Sequence, residues 1–154
     1  MKAHDDYLRR IYRGGRPNRF AKLQNDWWAQ VFAAGIWPRR AAALEVRGRT
    51  SGRTVRLPVV IAEHDGERFL VSMLGESNWV RNVRAAGGRA VLRHGKREEV
   101  LLEVVPVTDR PAVIKHYLDV APGARPHIRV DRTAPIEAFR DIAASVPVFR
   151  VTPG

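Results

Sequence analysis

The amino-acid sequence predicts an α+β fold, in which a mainly antiparallel sheet closes into a small barrel and helices pack on its outside. Three observations support this prediction. From residue 42 onward, short runs rich in Val, Leu and Ile alternate with turn signals, which indicates about six strands. Two of the turns, at residues 64–67 and 94–96, have the Gly-containing sequences that join hairpin strands. Segments with helical spacing lie before the first strand, between the third and fourth strands, and near the end.

The chain divides into a leading helical segment, residues 1–41, and a barrel, residues 42–154, which together form one globular domain. Apolar residues at helical spacing predict two leading helices, which end at Gly14-Gly15 and at Gly35. One face of the second helix is lined by Phe20, Leu23, Trp27 and Val31. This aromatic face either packs on the barrel or forms a lid that leans on a membrane and admits lipophilic substrates.

The elements of the barrel segment are predicted from its alternation and its turn residues. Strands are expected at residues 42–47, 55–63, 68–74, 89–93, 97–107 and 146–151. Helices are expected at residues 78–86, 111–120 and 136–144, and Ser77 is expected to cap the first of them. Residues 121–134, which are rich in Pro and Arg, are expected to form a loop, and loops of that length are often functional.

The amino-acid composition limits the classes of protein to which this chain can belong. It has 154 residues, of which 45% are hydrophobic, and this is enough for one domain with its own core. It contains no cysteine, which excludes disulfides, thiolate metal sites and thiol nucleophiles. No apolar run is long enough to span a bilayer, and residues 1–13 lack the apolar middle of a signal peptide. We therefore expect a cytoplasmic protein, with peripheral membrane contact left open through the aromatic helix.

The net charge is +11 and the isoelectric point is about 11.2, so the surface attracts nucleic acid, anionic lipid or small anionic ligands. Codon bias in a GC-rich genome can account for a general excess of Arg. It does not account for the clustering of Arg47, Arg49, Arg53 and Arg56 around one turn. Arg is suited to bidentate recognition of phosphate and carboxylate groups.

The turn in question, residues 48–53, has the sequence Gly-Arg-Thr-Ser-Gly-Arg and lies between the first two predicted strands. We refer to it as the basic turn. Its glycines are expected to expose backbone N–H groups and its arginines to place guanidinium groups beside them, and together these can hold a phosphate or a carboxylate. The turn therefore predicts a site for an anionic ligand, and we expect that ligand to be a redox cofactor.

Familiar catalytic motifs are absent from the sequence. There is no G-x-S-x-G nucleophile elbow, no P-loop, and no dinucleotide-binding G-x-G-x-x-G after a strand. The five histidines are scattered and no pair has metal-ligand spacing, so we expect no metal. If the protein is an enzyme, its chemistry must come from a bound cofactor, for which the protein supplies position and electrostatics.

Three segments resemble the deazaflavin-dependent nitroreductase and quinone reductase family. They are L-E-V-R-G-R-T-S-G-R at residues 44–53 followed by Pro58, G-E-S-N-W-V-R-N-V-R-A-A-G at residues 75–87, and V-P-V-F-R-V-T-P at residues 146–153. The resemblance runs from about Ala42 to Pro153. It implies a split β-barrel of the FMN-binding kind. It also implies an F420H2-dependent oxidoreductase, which passes a hydride to a quinone, a nitroaromatic compound or an activated alkene.

The same resemblance implies the cofactor F420, an 8-hydroxy-5-deazaflavin that carries a phosphate and an oligoglutamate tail. Its strong negative charge agrees with the basic turn. The phosphate and tail would be held by Arg49, Thr50, Ser51, Arg53 and Arg56, with the backbone of Gly52 close by. The ring would be lined by Pro58, Val59, Ser72, Met73, Leu74 and Gly75. The next helix would begin with Asn78, Trp79 and Asn82, and its N-terminal amides favour an anion.

The substrate side is less closely defined. Met73-Leu74 stands where relatives often have a polar or aromatic pair, and Thr50 stands where many have a second basic residue. We expect a small, lipophilic or aromatic substrate, with His127 and Arg129 of the predicted loop as candidates to face it. No residue stands out as a catalytic acid or base. FMN is the alternative cofactor, and barrels of this kind often form homodimers.

Two other functions remain open. A nucleic-acid-binding module would use the Arg-rich faces, although Arg and aromatic residues do not interleave on any one strand. A non-catalytic barrel would carry FMN, a tetrapyrrole or a lipid. We expect the F420-dependent enzyme, which has a small-molecule substrate and no nucleic-acid partner.

Overall fold

The computed structural model describes residues 40–154, so the two predicted leading helices lie outside the described residues. The strands in this range are β1 (Ala41–Arg47), β2 (Thr54–Val60), β3 (Ala62–His64), β4 (Glu67–Val71), β5 (Arg89–Arg93), β6 (Arg97–Val104) and β7 (Val148–Pro153). The α-helices are α1 (Asn78–Ala85), α2 (Arg110–Val120) and α3 (Ile136–Ala143). Short 3-10 helices span Val107–Asp109 and Pro122–His127.

The strands form one antiparallel sheet in the order β2-β1-β5-β6-β7-β4-β3. Its two edge strands, β2 and β3, are separated in sequence only by Ile61. Because consecutive residues must be close in space, the sheet curls until its two edges meet at Ile61. This arrangement confirms the predicted α+β split barrel.

The predicted strand at residues 55–63 is divided in the structure. Its first part, β2, pairs with β1, whereas β3 pairs with β4 and places Ala62 opposite Phe69. One continuous stretch of chain therefore changes its partner at Ile61. This change of partner accounts for seven strands where the sequence predicts about six.

Alternation of side chains gives the sheet two apolar faces. The inner core lies inside the curled sheet and contains residues such as Leu44, Leu92, Val100 and Phe149. Val80 and Val83 of α1 close one end of it. The outer core lies between the sheet and helices α2 and α3, and contains residues such as Phe69, Ile114, Leu118, Phe139 and Val148.

An ion pair lies on the inner face, at the end of β4 that is farther from α1. Arg68 donates to the two carboxylate oxygens of Glu98 at 2.8 and 2.7 Å, and the side chains are 29% and 27% exposed. This hydrogen bonding raises the pKa of Arg68 and lowers the pKa of Glu98 from their ordinary values. The inner core is thus bounded by α1 at one end and by the Arg68–Glu98 ion pair at the other.

Several element ends differ from the sequence-based prediction. β6 ends at Val104 rather than at residue 107, and Pro106 has no N–H group with which to extend it. The segment 121–134, predicted as a loop, contains a 3-10 helix and is tied down by Lys115. The Nζ of Lys115 donates to the carbonyls of Arg132 and Ala134 at 2.7 and 2.6 Å.

Candidate functional site

The basic turn is closed by its own hydrogen bonds. The Gly48 N–H donates to the carbonyl of Arg53 at 2.8 Å, and the Gly52 N–H donates to the carbonyl of Gly48 at 2.9 Å. The expectation that the glycines offer their N–H groups to a ligand is therefore wrong. Within residues 40–154, the N–H groups of Thr50 and Ser51 make no hydrogen bond, so these are the amides that the turn can offer.

Gly52 is required by the conformation of the turn. Its φ of +70° lies in the left-handed region, which glycine adopts without steric cost. A Cβ at this position would lie 3.6 Å from Nη2 of Arg47, so the Arg47 guanidinium lies over the Gly52 backbone. Arg47 and Arg53 are exposed, and among the described residues their guanidinium groups have no hydrogen-bond or ion-pair partner. Bare backbone beside two available guanidinium groups fits the anionic end of a cofactor.

Arg49 fastens the basic turn to α1. Its backbone N–H and its Nη1 donate to Oδ1 of Asn82 at 3.1 and 2.8 Å. Nη1 and Nη2 also donate to the carbonyl and to Oδ1 of Asn78, both at 3.3 Å. Asn82 is only 5% exposed. The structure therefore brings two separate parts of the predicted site, the basic turn and the start of α1, into direct contact.

Arg56 is held by an acidic residue that the sequence analysis did not single out. Oε1 of the buried Glu45 lies 2.9 Å from Nε of Arg56 and 2.9 Å from Nε of Arg93. These contacts are ion pairs without hydrogen-bond alignment at Oε1 or at Nε of Arg93. Counting outward from the turn along the hairpin would have found the first pair, because Glu45 and Arg56 are opposite each other in the β1–β2 ladder. Arg56 is consequently less available to an anion than Arg47 or Arg53.

The chain between β4 and α1 forms a compact turn. The hydroxyl of Ser72 and the N–H of Ser77 both donate to the carbonyl of Gly75, at 2.6 and 2.8 Å. The two serine hydroxyls lie 3.3 Å apart and both residues are buried, so Ser77 does not cap α1 with its side chain. Met73, Leu74 and Gly75 are half-buried. The surface that this turn presents to a ligand is therefore made by residues 73–75 and not by the Ser72 side chain.

A buried arginine supports this turn from behind. Gly75 has a φ of +74°, and a Cβ there would lie 3.2 Å from the carbonyl oxygen of Ser145, just after α3. Arg110 is 6% exposed and donates to the carbonyls of Val105 and Ala143 at 2.8 and 3.0 Å. Burial lowers the pKa of Arg110 from its ordinary value. Arg110 thus fixes the end of α3, against which Gly75 rests.

The two segments predicted to line the ring lie on either side of a break in the strand pairing of the barrel, which we call the opening. β2 is an edge strand, so within residues 40–154 one backbone edge of Pro58 and Val59 has no strand partner. The β3–β4 ladder ends at the pair Ala62 and Phe69. Its register, if continued, would bring Val59 opposite Ser72. Within the described chain no strand pairing joins Val59 to Ser72, and the outer backbone edge of β2 has no strand partner there.

Trp79 anchors α1 on the inner core. Its ring centroid lies 5.7 Å from that of Phe149, and the ring planes are inclined at 54°. Phe149 is buried, whereas Trp79 is half-buried and keeps part of its surface outside the core. The packing role of Trp79 is thus visible in the structure, and its contact with a cofactor stays a prediction.

His127 and Arg129 lie at the end of the second 3-10 helix and just beyond it. The residue between them, Ile128, is buried in the outer core. Arg129 is exposed and His127 is half-buried. Met73, one of the residues predicted to line the ring, packs against the same outer core. Contact of His127 or Arg129 with a substrate stays a prediction.

A groove of about 490 Å³ lies elsewhere, between the outer side of the sheet and the first turns of α2 and α3. No residue of the predicted site lines it. Arg150 donates to Glu67 at 3.4 Å and to Glu103 at 2.7 Å across its floor. The lining has four carboxylates against two arginines, Arg140 and Arg150, so this groove fits an anionic cofactor less well than the basic turn does.

Between residues 40 and 154, no three His, Asp or Glu side chains are grouped as metal ligands would be. In the same range, no helix has the length and apolar character needed to cross a membrane. The groups that do converge are guanidinium groups, two free amides and an open strand edge, which fit an anionic ligand with a flat ring.

The fold is a split barrel, and the cationic groups at its basic turn fit an anionic ligand. The sequence model of the family described as F420H(2)-dependent quinone reductase matches residues 28–140, well over half of the chain. The protein is accordingly an oxidoreductase of the F420H2-dependent type. It belongs to the F420H2-dependent quinone reductase family, which confirms the resemblance seen in the sequence.

Solved structures share the fold at low sequence identity. An F420-H2 dependent reductase (FDR-A) matches with 18% identity and a TM-score of 0.50, over 74% of this chain and 95% of that chain. A structure described as a domain-swapped dimer matches with 15% identity and a TM-score of 0.52, over 86% and 96%. Protein Atu2129 from Agrobacterium tumefaciens, of unknown function, matches with 17% identity and a TM-score of 0.55, over 82% and 54%. No match was found among curated proteins.

Proposed function

We infer that the protein binds F420H2 between the basic turn and the opening of the barrel and reduces a quinone, a nitroaromatic compound or an activated alkene. When bound, the reduced deazaflavin supplies the hydride from its C5 position. The observation that carries this proposal is the docking of the basic turn onto the start of α1, beside the free edge of β2. Family membership supports the use of F420. The choice of a quinone, a nitroaromatic compound or an activated alkene as the acceptor goes beyond family membership and is part of our proposal.

The residues around the opening have separate roles in this proposal. Guanidinium groups of the basic turn bind the phosphate and the carboxylates of the tail. The free backbone edge at Pro58 and Val59 offers fixed hydrogen-bonding groups to the uracil-like edge of the ring. Met73 and Leu74 give the opening an apolar wall, which suits a lipophilic or aromatic acceptor. His127 and Arg129 are proposed to lie on the acceptor's side.

Alignment is the main catalytic contribution that these residues can make. Among the predicted cofactor-binding residues there is no carboxylic acid and no histidine. The site therefore holds the hydride donor and the acceptor next to each other and excludes water. The proton that completes the reduction comes from solvent or from a side chain near the acceptor. Catalysis of this kind depends on geometry, so small displacements of the turn or of β2 should lower the rate.

Titration of the purified protein with F420, followed by cofactor fluorescence, tests the proposal directly. We expect saturable binding at micromolar protein, weaker binding in Arg53→Ala, and a smaller weakening in Arg56→Ala, because Arg56 is already paired with Glu45. Both losses should be larger at low salt than at high salt, because salt already screens the wild-type contacts. Arg81→Ala, an exposed arginine of α1, is the matched control and should bind as the wild type does. No saturable binding by the wild type would discard the proposal.

The acceptor and the rival ligands need a second experiment. Oxidation of F420H2 is measured with a quinone, a nitroaromatic compound and an activated alkene, and turnover with at least one of them is expected. Mass spectrometry of whatever leaves the protein on denaturation would reveal FMN, a tetrapyrrole or a lipid if the barrel carries one of these instead. Size-exclusion chromatography in the same preparation tests the predicted homodimer.

A further inference from the structure

Arg49 differs from Arg53 of the basic turn, and from the adjacent Arg47, in how its donors are used. Its two Nη atoms and its backbone N–H together make four hydrogen bonds to Asn78 and Asn82. Among the described residues, the guanidinium groups of Arg47 and Arg53 make none. The guanidinium of Arg49 is therefore committed to the fold, and those of Arg47 and Arg53 remain available to a ligand.

The partners of Arg49 are neutral. Two side-chain amides and a backbone carbonyl hold its guanidinium without cancelling its charge, whereas Glu45 sets a negative charge beside Arg56. Oδ1 of the buried Asn82 receives two donors from Arg49, so the amide is fixed in orientation. A carboxylate at position 82 would place a negative charge beside the anion site. The amides hold the turn on α1 and leave the site cationic.

Within the described chain, no other side chain ties the turn to a neighbouring element. Its internal hydrogen bonds, between Gly48 and Arg53 and between Gly52 and Gly48, fix its shape, and the β1–β2 ladder fixes its base as far as the pair Arg47 and Thr54. The contacts of Arg49 with Asn82 join the turn itself to α1, which is anchored in the inner core by Val80 and Val83. The orientation of the turn relative to α1 therefore depends on this junction.

We propose that Arg49 and Asn82 are positioning residues, which fix the basic turn on α1, and that Arg47 and Arg53 hold the anionic end of the ligand. This inference rests on the proposed binding of F420. It differs from the sequence-based assignment at two points. Arg49 and Asn82 act through the turn rather than on the ligand, and Arg47, absent from the predicted cofactor-binding residues, becomes one of them. A site fixed before binding loses less freedom when the ligand arrives.

The test compares the dissociation constants of F420 and of the phosphate-free deazaflavin in five variants. These are Arg49→Gln, Asn82→Ala, the double variant, Arg47→Gln and the exposed control Arg81→Gln. We expect Arg49→Gln and Asn82→Ala each to raise the Kd of F420 about tenfold, and the double variant to raise it no further, because both break the same contact. The Kd of the phosphate-free deazaflavin should stay unchanged, which a general loss of folding would not allow.

Salt separates the two roles. Arg47→Gln removes a charge that touches the ligand, so its weakening of F420 binding should shrink at high salt. Asn82→Ala removes no charge, and its weakening should persist at high salt. Arg81→Gln should match the wild type in both conditions.

Each result decides one part of the inference. Additive effects of Arg49→Gln and Asn82→Ala, or an equal loss of affinity for the phosphate-free deazaflavin, would overturn the positioning role. An unchanged Kd of F420 in Arg47→Gln would overturn its role in binding. If the wild type binds no F420, the proposed function fails, and the junction is then judged from the ligand-free protein. There, non-additive Tm shifts of the two single variants support it and additive shifts contradict it.

Discussion

Gly52 has two roles, because its backbone conformation shapes the basic turn and its position lies beside the proposed ligand. A matched pair of glycine substitutions can distinguish the two roles. Gly52 and Gly87 have similar positive φ values, +70° and +66°, and Gly87 has open space around it. We expect Gly52→Ala and Gly87→Ala each to lower the free energy of unfolding by about 1 kcal/mol, because a side chain is strained in this conformation. Only Gly52→Ala should weaken F420 binding, since its methyl group approaches the Arg47 guanidinium.

Urea denaturation and F420 titration of the two variants check this prediction. Equal weakening of F420 binding in Gly52→Ala and Gly87→Ala would mean that the cofactor lies away from the basic turn. A Gly52→Ala protein that unfolds like the wild type would mean that the turn adopts another conformation in solution.

For single residues, the sequence predicts which residues form the basic turn better than it predicts what those residues contact. The Gly-Arg-Thr-Ser-Gly-Arg string indicates a cationic turn, and the structure contains it. It does not indicate that the two glycine amides are used inside the turn, or that Arg49 bonds to a helix 33 positions further along. Such contacts depend on which element packs against the turn, and neighbouring residues in the sequence carry no record of that.

Among the elements, β4 and β6 are linked across an intervening strand. Arg68 and Glu98 belong to these two strands, and β7 lies between them in the sheet. The pKa of Glu98 lies below its ordinary value of 4.5, chiefly because of the Arg68 hydrogen bond. Its stabilising contribution is therefore complete above that value and is lost as pH falls through the lower, folded-state pKa. We expect Glu98→Gln to lower the free energy of unfolding by about 1 kcal/mol at neutral pH.

Denaturation of both proteins across the acidic range measures this effect. The difference between wild type and Glu98→Gln should be constant from neutral pH down to about pH 5 and should narrow below that. Glu99→Gln on the same strand is the control, because Glu99 is exposed and its loss should change stability by less than about 0.5 kcal/mol. A gap between wild type and Glu98→Gln that does not narrow in acid would show that the pair does not depend on the carboxylate's charge.

The boundaries of the strands show what hydrophobic patterns and turn residues can and cannot predict. The Asp65-Gly66 and Gly95 turns correctly predicted the β3–β4 and β5–β6 hairpins, because each turn is specified by its own residues. The division of residues 54–64 into β2 and β3 could not be predicted. Apolar and β-branched residues run through Ile61 without a break, and the change of partner there follows from the curling of the whole sheet.

Charge is unevenly placed over the part of the molecule that the structure describes, residues 40–154. The net charge is +11, and the available guanidinium groups of Arg47 and Arg53 stand at the predicted cofactor site. The groove on the other face brings Glu67 and Glu103 together around Arg150. Composition alone predicted attraction to anions but not its direction, because direction depends on which arginines the fold leaves unpaired. Exposed arginines without a partner also lie elsewhere on the described residues, for example Arg89, Arg129 and Arg140, so the proposed cofactor site is distinguished by having two available guanidinium groups beside free backbone amides.

This distribution predicts that electrostatics speeds the capture of F420. We expect the association rate constant, measured by stopped-flow fluorescence, to fall about tenfold between low and high ionic strength, because salt screens the attraction. The phosphate-free deazaflavin lacks the anionic tail, so its association rate should change little over the same range. Arg53→Gln should show a shallower salt dependence than the wild type, and Arg81→Gln should not. If F420 and the phosphate-free deazaflavin respond alike to salt, the excess of arginine does not serve capture, and codon usage accounts for it.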